Sequence, residues 1–229
     1  MDIAEACKPV IVERGGIRTA FLGLAATLPL GAAATQERPG LAPVHVSTSY
    51  EIEPTLLQEQ PGNPPKIRTQ VDLRDEERLC KDIRRARTIA DHVIVGIHWG
   101  IAFSKERAEY QQPLGRKMIE AGARLVVGHH PHVRQGLERY QDGVILYSLG
   151  DFVFHDRADM TGESGMMTIV ELGKKRLRSL RLIPIKVDLK AGLPSLGDAA
   201  ARKELLEEMK QLSPKEDLSE DGVGVRLTL

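Results

Sequence analysis

The apolar positions fall into short runs of two periods. Val10-Ile11-Val12 and Ile17–Leu24 are β-rich runs either side of Gly15-Gly16, which predicts a hairpin whose turn residues take positive φ. Pro29, Pro39, Pro43, Pro54, Pro61, Pro64 and Pro65 then break every periodic stretch, so residues 25–66 read as a Pro-rich loop or lid. From Asp72 onward, Leu73, Leu79, Ile83, Ala86 and Ile89-Ala90 repeat at helical spacing beneath a charged face. His92–Ile97 is a continuous apolar run of the kind buried on both faces of a sheet. A second helix over Lys105–Ala121, ended by Gly122, leads to a strand at Leu125-Val126-Val127. Strand, helix, strand at this spacing is a βαβ unit with parallel pairing. Further strands are expected at Val144–Tyr147, Met166–Leu172 and Leu177–Leu189, and an amphipathic helix over Ala199–Leu212. The expected fold is an α/β core with an antiparallel C-terminal extension.

Composition narrows the function. The 229 residues are 41% apolar and 28% charged, as in an ordinary globular protein of one or two domains. Thirty-two basic residues balance 32 acidic ones, so no global field recruits nucleic acid or an acidic membrane. Aromatic residues at 4% offer little for base stacking, and no nucleic-acid partner is expected. Cys7 and Cys80 have neither CxxC nor finger spacing. The Ala/Leu/Gly-rich stretch Thr19–Thr35 follows an acidic segment and contains Pro29, unlike a signal peptide or a membrane span. Neither GxGxxG nor GxxxxGK[ST] occurs, which disfavours a nucleotide-binding α/β domain.

Five of the seven histidines lie between His92 and His132. His98 directly follows one predicted strand, in His98-Trp99-Gly100. His129, His130 and His132 directly follow the next, in Gly128-His129-His130-Pro131-His132-Val133. Ligand sites of open α/β sheets form beyond the carboxyl ends of the strands, so parallel pairing brings these imidazoles to one rim. Clustered imidazoles suit Zn, Mn, Fe or Ni. His98 by itself is more often a polar loop residue or satisfied hydrogen-bonder than a ligand; three histidines within four positions point to metal. Asp151, in Tyr147-Ser148-Leu149-Gly150-Asp151-Phe152, follows a further strand and either adds a carboxylate to the rim or forms a simple Gly-Asp turn. His45, His92 and His155 read as ordinary polar residues, and Gly15-Gly16 as structural.

HWG, an amphipathic helix, GA-x-LVVGHHPHV, a Glu, and ILYSLGDFVF together resemble the CapA-type poly-γ-glutamate capsule-synthesis proteins. The likeness continues through Arg181–Ile185 and Gly192-Leu193-Pro194, extends back to Val10–Leu24, and is weakest over 25–66. That family is similar in fold to the calcineurin-like metallophosphoesterases. The resemblance implies part of a four-layer αββα sandwich and a divalent-metal centre of Mn, Fe or Zn, with two ions in an intact site. His98 and His130 would bind one ion and His132 the other. His129 and Asp151 would be the catalytic candidates, His129 standing behind the ligands or on the substrate side. The implied chemistry is metal-dependent hydrolysis, with membrane-bound polymer synthase subunits as partners and no membrane span in this chain. The family's Gly-Asp and Asn-Asn-His motifs are absent, so residues 1–229 read as a single CapA-like domain lacking the N-terminal metal-motif half. The competing reading is a non-catalytic scaffold or a remnant of a cell-surface polymer machinery.

Overall fold

A computed structural model describes residues 2–153, 165–188, 191 and 193–229. The chain opens with a short helix α1 (Ile3–Ala6), then the hairpin β1 (Val10–Arg14) and β2 (Ile17–Ala25). Gly15 (φ +59°) and Gly16 (φ +73°) form its two-residue turn, a conformation costly for any residue with a Cβ. The Pro-rich segment is more ordered than expected of a loop. Its second half contains β3 (Val46–Glu51) and the short helix α2 (Pro54–Glu59), and β3 pairs antiparallel with β4 (Lys66–Val71) as a separate two-stranded ribbon.

Helix α3 (Leu73–Ile89) is capped by Asp72, whose carboxylate accepts the N–H groups of Arg74 and Asp75. Its Leu79, Cys80, Ile83 and Ala86 are buried, whereas Leu73 and Ile89, expected on the same face, are exposed at the helix ends. Strand β5 (His92–His98) follows, then α4 (Gln111–Glu120) and β6 (Leu125–His129). Helix α4 begins six residues later than the Lys105 start expected from periodicity. Pro113 explains the difference: it lacks an N–H and is tolerated only in a first turn, where that donor has no partner.

The remaining strands are β7 (Leu137–Tyr140), β8 (Gly143–Leu146), β9 (Met166–Leu172), β10 (Leu177–Asp188), β11 (Leu193–Leu196), β12 (Leu218–Glu220) and β13 (Val225–Leu227). Helix α5 occupies Ala199–Leu212, as its periodicity indicates.

The central sheet has the order β1-β2-β5-β6-β8-β7. Strands β2, β5, β6 and β8 are parallel, and the antiparallel β1 and β7 close its two ends. The predicted βαβ pairing is present, with His98 opposite His129 in register. A second, antiparallel sheet has the order β11-β10-β13-β12, with β9 also on β10.

Strand β8 shows how the layers are held. Ile145, followed by Tyr147, packs with α3 and α4 through a core that includes Val95, Ile97, Leu114 and Met118. Val144 and Leu146 point the other way and meet Leu180, Leu182, Val225 and Leu227 of the second sheet. Leu205 and Met209 of α5 join this second core. Burial on both faces is why these parallel strands are continuously apolar. The result is a two-sheet α/β sandwich with the antiparallel extension as its second sheet. The first sheet is not covered evenly: Val10, Val12 and Phe21 on β1 and β2 remain exposed.

Candidate metal centre

The four site histidines come from the ends of two adjacent parallel strands. His98 ends β5 and His129 ends β6, while the chain after β6 turns back at once and carries His130 and His132. The turn is made with unusual backbone: His130 has φ +101°, His132 +60° and Phe103, facing them, +63°. Side chains with a Cβ seldom take such angles, and each costs of order 1–3 kcal/mol unless its surroundings fix it. Here Ser148 donates to the Val133 carbonyl (2.8 Å) and the Phe103 N–H to the Pro131 carbonyl (2.7 Å). These bonds hold the loop from both sides.

His98 Nε2 and His130 Nδ1 stand 3.0 Å apart, with ring centroids at 4.7 Å. His132 lies 6.0 Å from His130 by centroid and stacks on Phe103 at 5.6 Å. Its Nδ1 is 2.8 Å from Asp151 Oδ1. An Asp151 carboxylate accepts that N–H and so selects the tautomer with the Nε2 lone pair, the usual arrangement behind a metal-ligating imidazole. The rim thus contains His98, His130, His132 and Asp151 together. His129 sits beside His98, one register position across the sheet.

The surroundings keep these rings neutral. His98, His129 and His130 are each lowered below the ordinary imidazole range, first by desolvation and then by mutual repulsion: His132 acts on His98, His98 on His129, and both His98 and His132 on His130. Neutral imidazole is the form that ligates. The sign for stability follows. An unfolded histidine titrates near about 6.5, so as pH falls below that value the unfolded chain takes up protons that these folded rings refuse. Their contribution is complete above about pH 6.5 and is lost progressively on acidification. Urea denaturation at pH 7.5 and 5.5 is expected to show a lower midpoint at 5.5, and a smaller drop in a His130→Asn variant, which removes one of the rings whose protonation the fold opposes. An equal drop in both would refute this assignment.

Two imidazole nitrogens on one tetrahedral ion, each about 2.0–2.1 Å from it, stand about 3.3 Å apart. The 3.0 Å between His98 and His130 is close to that requirement, so this pair fits two positions around one ion. Among the described residues no group of three His, Cys, Asp or Glu side chains converges on a common metal position. The pair therefore supplies part of a coordination shell and not a whole one.

The rim rests on packing that residue spacing alone does not reveal. Trp99, fully buried, donates from Nε1 to the Tyr147 carbonyl (2.9 Å) and stacks on the Tyr147 ring at 5.9 Å. The Tyr110 hydroxyl accepts the Gly100 N–H at 2.7 Å. Gln111, also buried, accepts the Ala108 N–H (2.7 Å) and donates to Gln135 (3.1 Å), which in turn holds the Ser104 carbonyl (2.9 Å). The segment between β5 and α4 is fixed by these side chains, which a hydrophobicity pattern does not register. His92, by contrast, is a buried hydrogen-bonding residue whose Nε2 meets the Gly173 carbonyl at 2.5 Å. His45 pairs with Asp75 at 2.6 Å, away from the rim. His155 lies outside the described residues.

Two parallel strands ending in imidazoles give this two-sheet α/β sandwich a histidine-lined crest. The chain belongs to the family described as bacterial capsule synthesis protein PGA_cap, whose profile matches residues 1–156. It is 34% identical over 152 residues to the capsule biosynthesis protein CapA of Bacillus anthracis, covering 66% of this chain and 31% of that protein. It is also 34% identical over 148 residues to the PGA biosynthesis protein CapA of Bacillus subtilis, covering 65% of this chain and 39% of the relative. The chain thus spans about a third of the length of these relatives. A crystal structure of a hypothetical protein from Thermus thermophilus overlaps 82% of this chain and 58% of its own, at 15% identity and TM-score 0.35, a similarity too low to carry an argument.

Proposed function

We propose that this chain supplies the histidine half of a divalent-metal centre in a capsule polyglutamate-synthesis protein, and that the complete protein is a metal-dependent hydrolase. The observation that carries this is the 3.0 Å approach of His98 Nε2 to His130 Nδ1 at the end of paired parallel strands. His98 and His130 would share one ion of Mn, Fe or Zn, and His132, oriented by Asp151, would serve a second. When bound, such an ion lowers the pKa of its water and polarises a substrate oxygen. His129, exposed beside His98, is placed to meet substrate. The bond broken, phosphoester or amide, is not specified by imidazoles. Partners are proposed to be membrane-bound polymer synthase subunits, in keeping with a Mycobacterium tuberculosis relative named as a probable polyglutamine synthesis accessory protein; no helix among the described residues is long and apolar enough to cross a membrane.

The second reading is a non-catalytic assembly subunit, favoured by the incomplete convergence of ligands among the described residues. Elemental analysis of purified chain, wild type beside His130→Ala/His132→Ala, separates the two. Bound Mn, Fe or Zn at about one ion per chain, lost in the double variant, is the expected result. Less than one ion per chain, unaltered by the substitutions, would move the assignment to the scaffold.

A further inference from the structure

Phe103 combines two features that each cost stability. Its backbone is left-handed (φ +63°), a region that strains a bulky side chain. Its ring is also 53% exposed, leaving apolar surface in water. What this conformation achieves is a contact. The ring lies against His132, with centroids 5.6 Å apart and planes 25° from parallel. His132 is left-handed as well (φ +60°), so both partners of the stack are presented by strained backbone. The Phe103 N–H donates to the carbonyl of Pro131, the residue just before His132, and sets the approach.

The bond to Asp151 does not by itself fix the imidazole. One hydrogen bond through Nδ1 places an edge of the ring and leaves it able to pivot about the bond. A second ring against its face removes the pivot. Both constraints matter to a ligand, because the nitrogen lone pair lies in the plane of the ring. The two loops that meet in this stack are also tied to a third element. Glu208 of α5 places Oε1 3.1 Å from Lys105 Nζ and Oε2 2.7 Å from Arg134 Nη2. Lys105 stands two residues after Phe103, and Arg134 two after His132, so one carboxylate spans both loops. The Arg134 and Glu208 side chains are largely buried, where salt screens such a pair little. Helix α5 lies beyond residues 1–156, which the family profile matches.

We infer that Phe103 is a positioning residue that fixes the plane of His132, and that α5, through Glu208, holds the two loops at stacking distance. The bearing of this on a bound ion rests on the metal reading above; the orientation of the ring does not.

The test is proton–nitrogen NMR of the imidazoles at pH 7.5 on the metal-stripped full chain, with the His132 signals assigned by their loss in His132→Asn. Wild type is expected to show one His132 tautomer, Nδ1–H, with ring protons shifted upfield by the facing Phe103 ring. Phe103→Gly, which accepts a left-handed backbone, is expected to give both His132 tautomers and to leave His45 and His92 unaltered. Phe103→Tyr, which keeps the ring, is expected to retain the single tautomer. Glu208→Gln is expected to lose part of the upfield shift, and Glu207→Gln, at an exposed neighbour on α5, to keep it. A single His132 tautomer in Phe103→Gly would assign the orientation to Asp151 alone and overturn the inference. Equal changes at His45 and His92 would do the same, as marks of general loosening. An unaltered His132 signal in Glu208→Gln would remove α5 from the arrangement. Metal content of the same variants before stripping keeps the two readings apart. A His132 ring ordered by Phe103 in a chain that holds no metal sinks the metal centre alone. Bound metal with His132 indifferent to Phe103 sinks the positioning role alone.

Discussion

Replacing Gly128 with Ala is expected to destabilise the chain by more than about 3 kcal/mol, or to prevent recovery of folded protein. A Cβ built at this position would lie 2.0 Å from the Tyr147 carbonyl oxygen and 2.4 Å from Trp99 Nε1. The first contact is with backbone and cannot be relieved by a rotamer change. Strand β6 and the segment ending at Tyr147 must separate, which also breaks the Leu149 N–H bond to the Gly128 carbonyl. His129 and His130 follow directly in sequence, so the movement reaches the rim. Thermal and urea denaturation read the stability. A midpoint within experimental error of wild type would show that the interior at this point has slack that the geometry denies.

The second large effect is expected at Trp99→Ala, a loss of about 3–5 kcal/mol from an emptied core site. Trp99 is fully buried against Tyr147 and Tyr110, and its removal also strands the Tyr147 carbonyl that its Nε1 serves. Trp99→Phe is expected to lie between wild type and Ala, since it retains aromatic volume and loses the donor. The pair Gly128→Ala and Trp99→Ala then forms an informative cycle. The larger side chain at 128 meets both the indole and the Tyr147 carbonyl, and deleting the indole relieves only the former. The double variant is therefore expected to be less stable than either single variant. Rescue of Gly128→Ala by Trp99→Ala would show that the indole, and not the carbonyl, sets the limit.

Much of this fold is visible in the residues because its signals are local. Gly15-Gly16 marks the first hairpin, and the apolar runs ending at His98 and after Leu125 mark the two strands that meet in register. Period and charge fix α3 and α5 in the same way. Strand β7 escapes such reading because only Leu137 of its four residues is fully buried, and the strand is held by Ser213 and Glu216 from far along the chain. Strands β12 and β13 are three residues each, too short for a periodic signal, and are held by antiparallel pairing of β13 with β10 and of β12 with β13. The Lys105 start of α4 fails for the opposite reason, since the signal that corrects it, Pro113, is in the sequence and outweighs periodicity.

The candidate site divides similarly. The histidine spacing and the strand ends place His98, His130 and His132 on one crest, and the structure brings Asp151 to His132 as well. The stack of Phe103 on His132 has no such signal. Phe103 lies in a loop without periodicity, and its approach depends on the left-handed turn it shares with the Pro131 carbonyl. The buried Gln111–Gln135 pair is equally silent, because glutamine at those positions is indistinguishable from a surface residue until its neighbours are known.

The central sheet is finished at one end and open at the other. At β7 the outward donors are spent and a strand has nowhere to add. Among the described residues no strand pairs with the outer edge of β1, and Val10, Val12 and Phe21 present an exposed apolar face. A hollow of about 610 Å³ leads from Val10 and Phe21 across Gly23 and Gly96 to His98 and His129. Growth of the sheet and access to the imidazoles thus share a single direction. A polypeptide that covered Val10 and Phe21 would also border the approach to His98 and His129.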